Sequence, residues 1–196
     1  MKFSHVLVTG GCGFIGSHIV DRLISEGVKV KVIDDLSTGR LSNISHHTGS
    51  KLLEFRKISL CDYPLLREEV KGSEAVLHQA ALVSVTRSVE DPLLVNDVNV
   101  TGTLNLLKAS VDARVKRFIY ASSSSVYGDI ETLPKREDLP TVPSSPYGVS
   151  KLAGEAYCRA FCKVYGLETV CLRYFNVYGP RQAHGPYSGV IPIFIA

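Results

Sequence analysis

Tyr147 and Lys151 stand four residues apart in Tyr147-Gly148-Val149-Ser150-Lys151, downstream of a hydroxyl run, Ser122-Ser123-Ser124-Ser125. Four residues is about one helical turn, so on a helix the phenol and the amine share a face. An ordinary tyrosine, with a pKa near ~10, is a poor base at neutral pH. A lysine ammonium one turn away favours the phenolate by charge attraction, and a positively charged redox ring would add to that pull. Such a phenolate can take the proton of an alcohol while hydride leaves the same carbon, with a serine hydroxyl bonded to the reacting oxygen. The chain has nine tyrosines, so a chance Y-x-x-x-K match is roughly an even bet and position must carry the weight. The pair opens an expected helix, and the serines end an expected strand, where ligands bind in open α/β sheets.

A second constellation lies near the start. Thr9-Gly10-Gly11-Cys12-Gly13-Phe14-Ile15-Gly16 contains G-x-G-x-x-G at Gly11, Gly13 and Gly16, and the wider G-x-x-G-x-x-G at Gly10, Gly13 and Gly16. Glycines suit a tight turn, a diphosphate pressed against bare backbone, and a helix packed closely on a strand. The helix N-terminus then offers free N–H groups and a partial positive charge. Asp34 ends the next strand, where a carboxylate can accept hydrogen bonds from adenosine ribose hydroxyls and would repel a 2′-phosphate. That favours NAD over NADP, with Arg40 as the counter-argument. Asp62 ends the third strand, placed either to reach an adenine amino group or to cap the helix near Pro64.

The elements that must position these residues alternate. Val6–Thr9, Val28–Ile33, Leu52–Ile58, Glu74–Ala81, Val115–Ser122 and Leu167–Arg173 read as strands. Phe14–Glu26, Pro64–Val70, Pro92–Ser110 and Tyr147–Tyr165 read as helices. Residues 37–50 and 129–146 read as loops, the first with room for a short helix. Alternation implies right-handed βαβ units and a doubly wound parallel sheet, the α/β Rossmann class, in strand order 3-2-1-4-5-6.

Composition narrows the function classes. A net charge of +3 without a long basic run argues against nucleic-acid binding. No apolar stretch is long enough to span a membrane, and the run before Gly10 is too short for a signal segment, so the expected location is the cytoplasm. Cys12, Cys61, Cys158, Cys162 and Cys171 form no zinc-spaced set and read as free thiols. His46 and His47 have no third ligand at suitable spacing, so no metal is expected.

Nearly the whole chain resembles the extended short-chain dehydrogenase/reductases, the NAD-dependent epimerase/dehydratase family. The segments carrying the likeness are TGGCGFIGSH, VIDDLSTG, HQAA, NDVNVTGTLNLL, SSSSVYG, SPYGVSK and LRYFNVYGPRQ. The resemblance implies NAD as cofactor, with Gly10, Gly13, Phe14, Ile15 and Gly16 around its diphosphate, Asp34 and Asp35 at the adenosine ribose, and Asp62 at the adenine. It places Ala80, Ala81 and Asn99 beside the cofactor. Ser123, Tyr147 and Lys151 correspond to the catalytic set. Tyr174, Phe175 and Asn176 would border the nicotinamide and the substrate, with Ser84, Val85, Ser88 and Ser124 toward the sugar.

Within that group, 4,6-dehydratases carry Asp-Glu directly after the catalytic hydroxyl, and UDP-glucuronate decarboxylases a Glu two before the tyrosine of the VYG element. Ser124 and Ser125 stand there instead. The chemistry left is UDP-sugar 4-epimerisation of the UDP-glucose/UDP-galactose type through a 4-keto intermediate. A non-catalytic NAD-binding module and a dehydratase or reductase are the alternatives. The resemblance also implies a homodimer, paired through the helix around Asn99–Leu107 and the helix after Tyr147. It divides the chain into a Rossmann domain, 1–175, and the start of a substrate-binding region, 176–196, most of which is absent.

Overall fold

The computed structural model describes residues 3–182. Six strands, β1 (His5–Thr9), β2 (Lys29–Ile33), β3 (Leu53–Arg56), β4 (Ala75–His78), β5 (Arg117–Ser123) and β6 (Glu168–Tyr174), form one sheet in the order β3-β2-β1-β4-β5-β6. Every pairing is parallel. This is the expected Rossmann order, and it puts the last residue of each strand on one edge. Register aligns Thr9 with Ile33 and His78, and Ser123 with Tyr174.

Side chains alternate across the sheet, and both faces are covered, so the strands read as nearly continuous apolar runs. Val6, Val8, Val30 and Val32 pack with Val20 and Ile44 on one face. Leu7, Ile33, Val76, Phe118 and Tyr120 pack with Leu66, Leu106, Leu107 and Phe161 on the other. The helices are α1 (Phe14–Ser25), α2 (Tyr63–Glu69), α3 (Val85–Glu90), α4 (Pro92–Asn96), α5 (Gly102–Asp112) and α6 (Pro146–Tyr165).

Two local differences from the sequence reading bear on the site. The segment around Ser84, Val85 and Ser88 is not a loop but the short helix α3, capped by Ser84, whose hydroxyl accepts from Arg87 N at 3.0 Å. The expected helix from Pro92 runs through a wide π turn, Asp97–Thr101, between α4 and α5. Such turns re-aim side chains out of the regular ladder, and this one buries Asn99. Residues 41–47 form two 3-10 turns, Leu41–Asn43 and Ser45–His47. Beyond β6 the chain returns to α1, where Pro180 O meets His18 Nε2 at 3.0 Å and Arg181 meets Asp21 at 2.6 Å. The remainder of the expected substrate region, 183–196, lies outside the described residues. Among the described residues no helix is long and apolar enough to cross a membrane.

Candidate active site

The chain leaves β1 through Gly10, at φ +68°, a left-handed conformation that glycine adopts without strain. A Cβ there would sit 2.6 Å from Ala80 N, and one on Gly16 would sit 2.1 Å from the Gly10 carbonyl oxygen. Both obstacles are backbone, so only glycine lets α1 and the β4 exit pack this closely on the turn. The N-cap of α1 is Gly13, with no capping side chain and no acid in the first turn. By contrast α2, α3, α4 and α6 are capped by Asp62, Ser84, Asp91 and Ser145. The first i→i−4 bond of α1 is from Ser17 N to Gly13 O, 3.0 Å. The amides of Phe14, Ile15 and Gly16 precede it and are donors suited to an anion.

Asp34 is buried at the end of β2 and accepts from Cys12 N and Leu36 N, each at 2.9 Å. Burial raises its pKa and outweighs the two amide bonds that oppose the rise. Asp35 accepts from Ser37 N at 2.9 Å. Asp62 is exposed and caps α2, accepting from Leu65 N at 3.3 Å, so the capping alternative is the one its side chain fulfils here. Gln79 Nε2 is buried without a protein partner, beside Tyr174. Bare amides at a helix end, a fixed carboxylate one strand away and an unmatched buried donor together fit an adenine dinucleotide lying across the strand ends.

Ser123, Tyr147 and Lys151 converge on the same edge. Ser123 ends β5 and caps a 3-10 turn, Ser124–Tyr127, accepting from Ser125 N at 3.1 Å. Tyr147 lies in the first turn of α6, behind the Ser145 cap and Pro146. Lys151 follows one turn later. Its ammonium is wholly buried, donates to Ala121 O at 2.9 Å and stands 5.9 Å from the Tyr147 ring centroid. Burial pushes Lys151 down to about 8. It also raises Tyr147 above its ordinary value, with the Ser123 hydroxyl pulling the other way. The expectation that lysine brings the phenol toward neutrality is therefore corrected for the protein on its own. Desolvation of the phenolate outweighs an ammonium that is anchored to a carbonyl.

Behind these residues runs a buried polar chain that sequence spacing did not reveal. Thr103 Oγ1 donates to Asn99 O at 2.6 Å, so it must accept from His78 Nε2, 2.8 Å away. His78 Nδ1 then accepts from Thr9 Oγ1 at 2.7 Å, and Thr9 Oγ1 accepts from Ala80 N at 3.3 Å. Asn99 holds Leu82 through both its main-chain groups and donates to Ser150 Oγ, which donates to Tyr147 O at 2.7 Å. The glycine turn, the Ala80–Leu82 segment and the start of α6 are thus one hydrogen-bonded unit.

In that unit His78 is neutral, held down at about 3 by burial and then by the nearby Lys151 charge. Between pH 3 and the ordinary ~6.5 the unfolded chain binds more protons at this residue than the folded chain. Stability therefore falls as pH drops through that window. Wild type should lose about 2 kcal/mol between pH 7 and pH 5 that His78→Asn does not lose. Urea denaturation of both proteins at the two pH values measures the difference.

A second missed element supports the catalytic edge from below. Glu155, one turn past Lys151, is buried and accepts from Ser122 Oγ at 2.6 Å. Arg173 at the end of β6 grips both its oxygens, at 2.9 and 2.8 Å, and donates to Tyr127 Oη at 2.9 Å. Burial raises the Glu155 pKa, but the Arg173 and Ser122 bonds outweigh it and keep the carboxyl below its ordinary value.

A sequence model of the NAD dependent epimerase/dehydratase family matches residues 6–196. This chain is a member of the NAD dependent epimerase/dehydratase family. It is 44% identical, over 97% of its own length, to the "Putative UDP-glucose 4-epimerase" of Methanocaldococcus jannaschii, of which it covers 61%. The structure of a UDP-N-acetylglucosamine 4-epimerase from Methanobrevibacter ruminantium, in complex with UDP-N-acetylmuramic acid, superposes with a TM-score of 0.94. That pair is 44% identical and covers 100% of this chain and 62% of the other. The Thermus thermophilus UDP-glucose 4-epimerase in complex with NAD gives a TM-score of 0.87 at 44% identity, covering 97% and 61%. The chain thus spans about 61% of the length of the curated relative it matches.

Family membership directs attention to the residues expected at the sugar. Ser84 is half-buried at its cap, Ser124 is half-buried, and Asn176 and Phe175 are exposed beyond β6. Ser88 is the correction. It is fully buried, and its hydroxyl donates to Val85 O at 2.6 Å within α3. A helix forms where a sugar-facing loop was expected, and it turns that hydroxyl inward. Ala80 and Ala81, at the β4 exit, are half-buried.

Proposed function

We propose that this chain binds NAD and supplies the redox and proton-transfer machinery of a nucleotide-sugar 4-epimerase acting on UDP-glucose or UDP-galactose. The observation that carries the reading is the meeting of Ser123, Tyr147 and Lys151 on the strand-end edge that also holds the uncapped start of α1. Gly10, Gly13, Phe14, Ile15 and Gly16 would hold the diphosphate, Asp34 and Asp35 the ribose, and Ala80, Ala81, Asn99 and Tyr174 the path toward the nicotinamide. NAD held there would supply reversible hydride transfer at C4 of the sugar. Tyr147 takes the C4 hydroxyl proton and gives it back. Ser123 donates a hydrogen bond to that oxygen, and Lys151 stabilises the phenolate. Because burial holds Tyr147 above its ordinary pKa, its work as a base needs more positive charge than Lys151 alone supplies.

Ser124 and Ser125 support epimerisation over elimination, since neither can act as a general acid near neutral pH. Ser84, Ser124 and Asn176 are the residues we place toward the sugar, and residues from 176 onward begin the region that grips it. A cytoplasmic homodimer paired through α5 and α6 belongs to the same reading and rests on the family resemblance. The test is to incubate the chain with NAD and UDP-galactose and follow UDP-glucose by chromatography. Interconversion supports the reading. Tight NAD binding without interconversion would instead favour a non-catalytic NAD-binding role.

A further inference from the structure

His46 and His47 occupy the second 3-10 turn of the segment between β2 and β3, and the fold sets α1 against that turn. Asp21 of α1 thereby becomes the third ligand that sequence spacing could not supply. His46 Nε2 and His47 Nε2 each stand 2.8 Å from the same oxygen, Asp21 Oδ1. Among the described residues this is the only group of three such side chains whose donor atoms converge, all within 4.8 Å of one another. The other carboxylate oxygen is held by Arg181 at 2.6 Å, which fixes the orientation of the carboxylate and leaves Oδ1 to face the two rings.

We propose that Asp21, His46 and His47 form a binding site for a divalent ion of the zinc class. Two imidazoles and one carboxylate are the donor set that Zn2+ favours and that Mg2+ and Ca2+, which prefer all-oxygen shells, do not. Tetrahedral zinc, with bonds of about 2.0–2.1 Å, separates its ligands by roughly 3.3 Å. Each Nε2–Oδ1 contact of 2.8 Å need therefore open by only about half an ångström. His46, whose side chain is 49% exposed, is free to make that adjustment, while His47 at 18% and Asp21 at 27% are held more firmly. In the loaded site both rings give up the Nε2 proton and keep the one on Nδ1, and water fills the fourth position. The ion would clasp to α1 the segment whose Arg40 N and Asn43 Nδ2 bond Cys12 O of the glycine turn.

The chain, first stripped with a chelator, is titrated with ZnCl2 by calorimetry and with CoCl2 by visible absorption. One equivalent should bind, and the cobalt spectrum should lack a sulfur charge-transfer band, which sets aside Cys61 and Cys162. The double variant His46→Ala/His47→Ala, which leaves the Asp21–Arg181 pair intact, should weaken zinc binding by at least roughly tenfold. Asp21→Asn should do the same, and His5→Ala should change nothing. Wild-type zinc affinity in a double variant that circular dichroism finds folded would overturn the proposal. A thiolate band in the cobalt spectrum would overturn it equally.

Discussion

Tyr147→Phe is expected to slow sugar epimerisation by about 100- to 10,000-fold, the range over which a positioned acid–base group contributes, while NAD affinity stays near wild type. The substitution removes one oxygen from a side chain that is only 9% exposed and leaves its ring to fill the same space at the start of α6. The cap at Ser145, the Lys151–Ala121 bond and the glycine turn do not depend on that oxygen. The loss should therefore fall on kcat and spare KM, as for an interaction made chiefly in the transition state. Steady-state rates with UDP-galactose, alongside fluorescence titration with NAD, separate the two quantities. Unchanged turnover would remove Tyr147 from the chemistry.

The second large effect is on stability. Glu155→Met or Arg173→Met should each cost about 3–5 kcal/mol, because removing one partner strands the other's charge in a largely buried place. The side chains are 5% and 18% exposed, so solvent does little to screen them. Glu155→Met combined with Arg173→Met should cost less than either single change, since no stranded charge remains. Activity should fall in all three even where the fold survives. Glu155 fixes Ser122, the neighbour of Ser123, and Arg173 fixes Tyr127 at the far end of the turn that Ser123 caps. Urea denaturation of the four proteins closes the cycle. A double variant worse than both singles would contradict this reading of the pair.

How much of this was legible in the sequence depends on the range of the interactions. The strands, their order, the glycine turn and the Tyr147–Lys151 face follow from local periodicity and from glycines that no other residue can replace, so they read directly. Helix α3 did not. At six residues, with Pro92 close behind, it has too few turns to establish a period, and its one local signal is Ser84 as a cap. The π turn at Asp97–Thr101 leaves no sequence mark, because it is imposed by the bonds of Asn99 to Leu82 and Ser150. Ser88 follows from α3, which turns its hydroxyl inward onto Val85 O. Glu155 and Arg173 stand 18 residues apart, and nothing in that spacing marks a pair until α6 and β6 are packed together. Asp21 with His46 and His47 is likewise a pairing across 25 and 26 residues that only the fold creates. The tuning of Tyr147 was misjudged because burial is invisible in a four-residue spacing.

In the proposed reaction hydride leaves and re-enters C4 of one sugar while Tyr147 handles only the proton. UDP-galactose carrying deuterium at C4, incubated with the chain and NAD in ordinary water, tests this directly by mass spectrometry and proton NMR of the UDP-glucose formed. The product is predicted to keep its deuterium at C4, with none lost to solvent. UDP-glucose carrying ordinary hydrogen at C4 would contradict it.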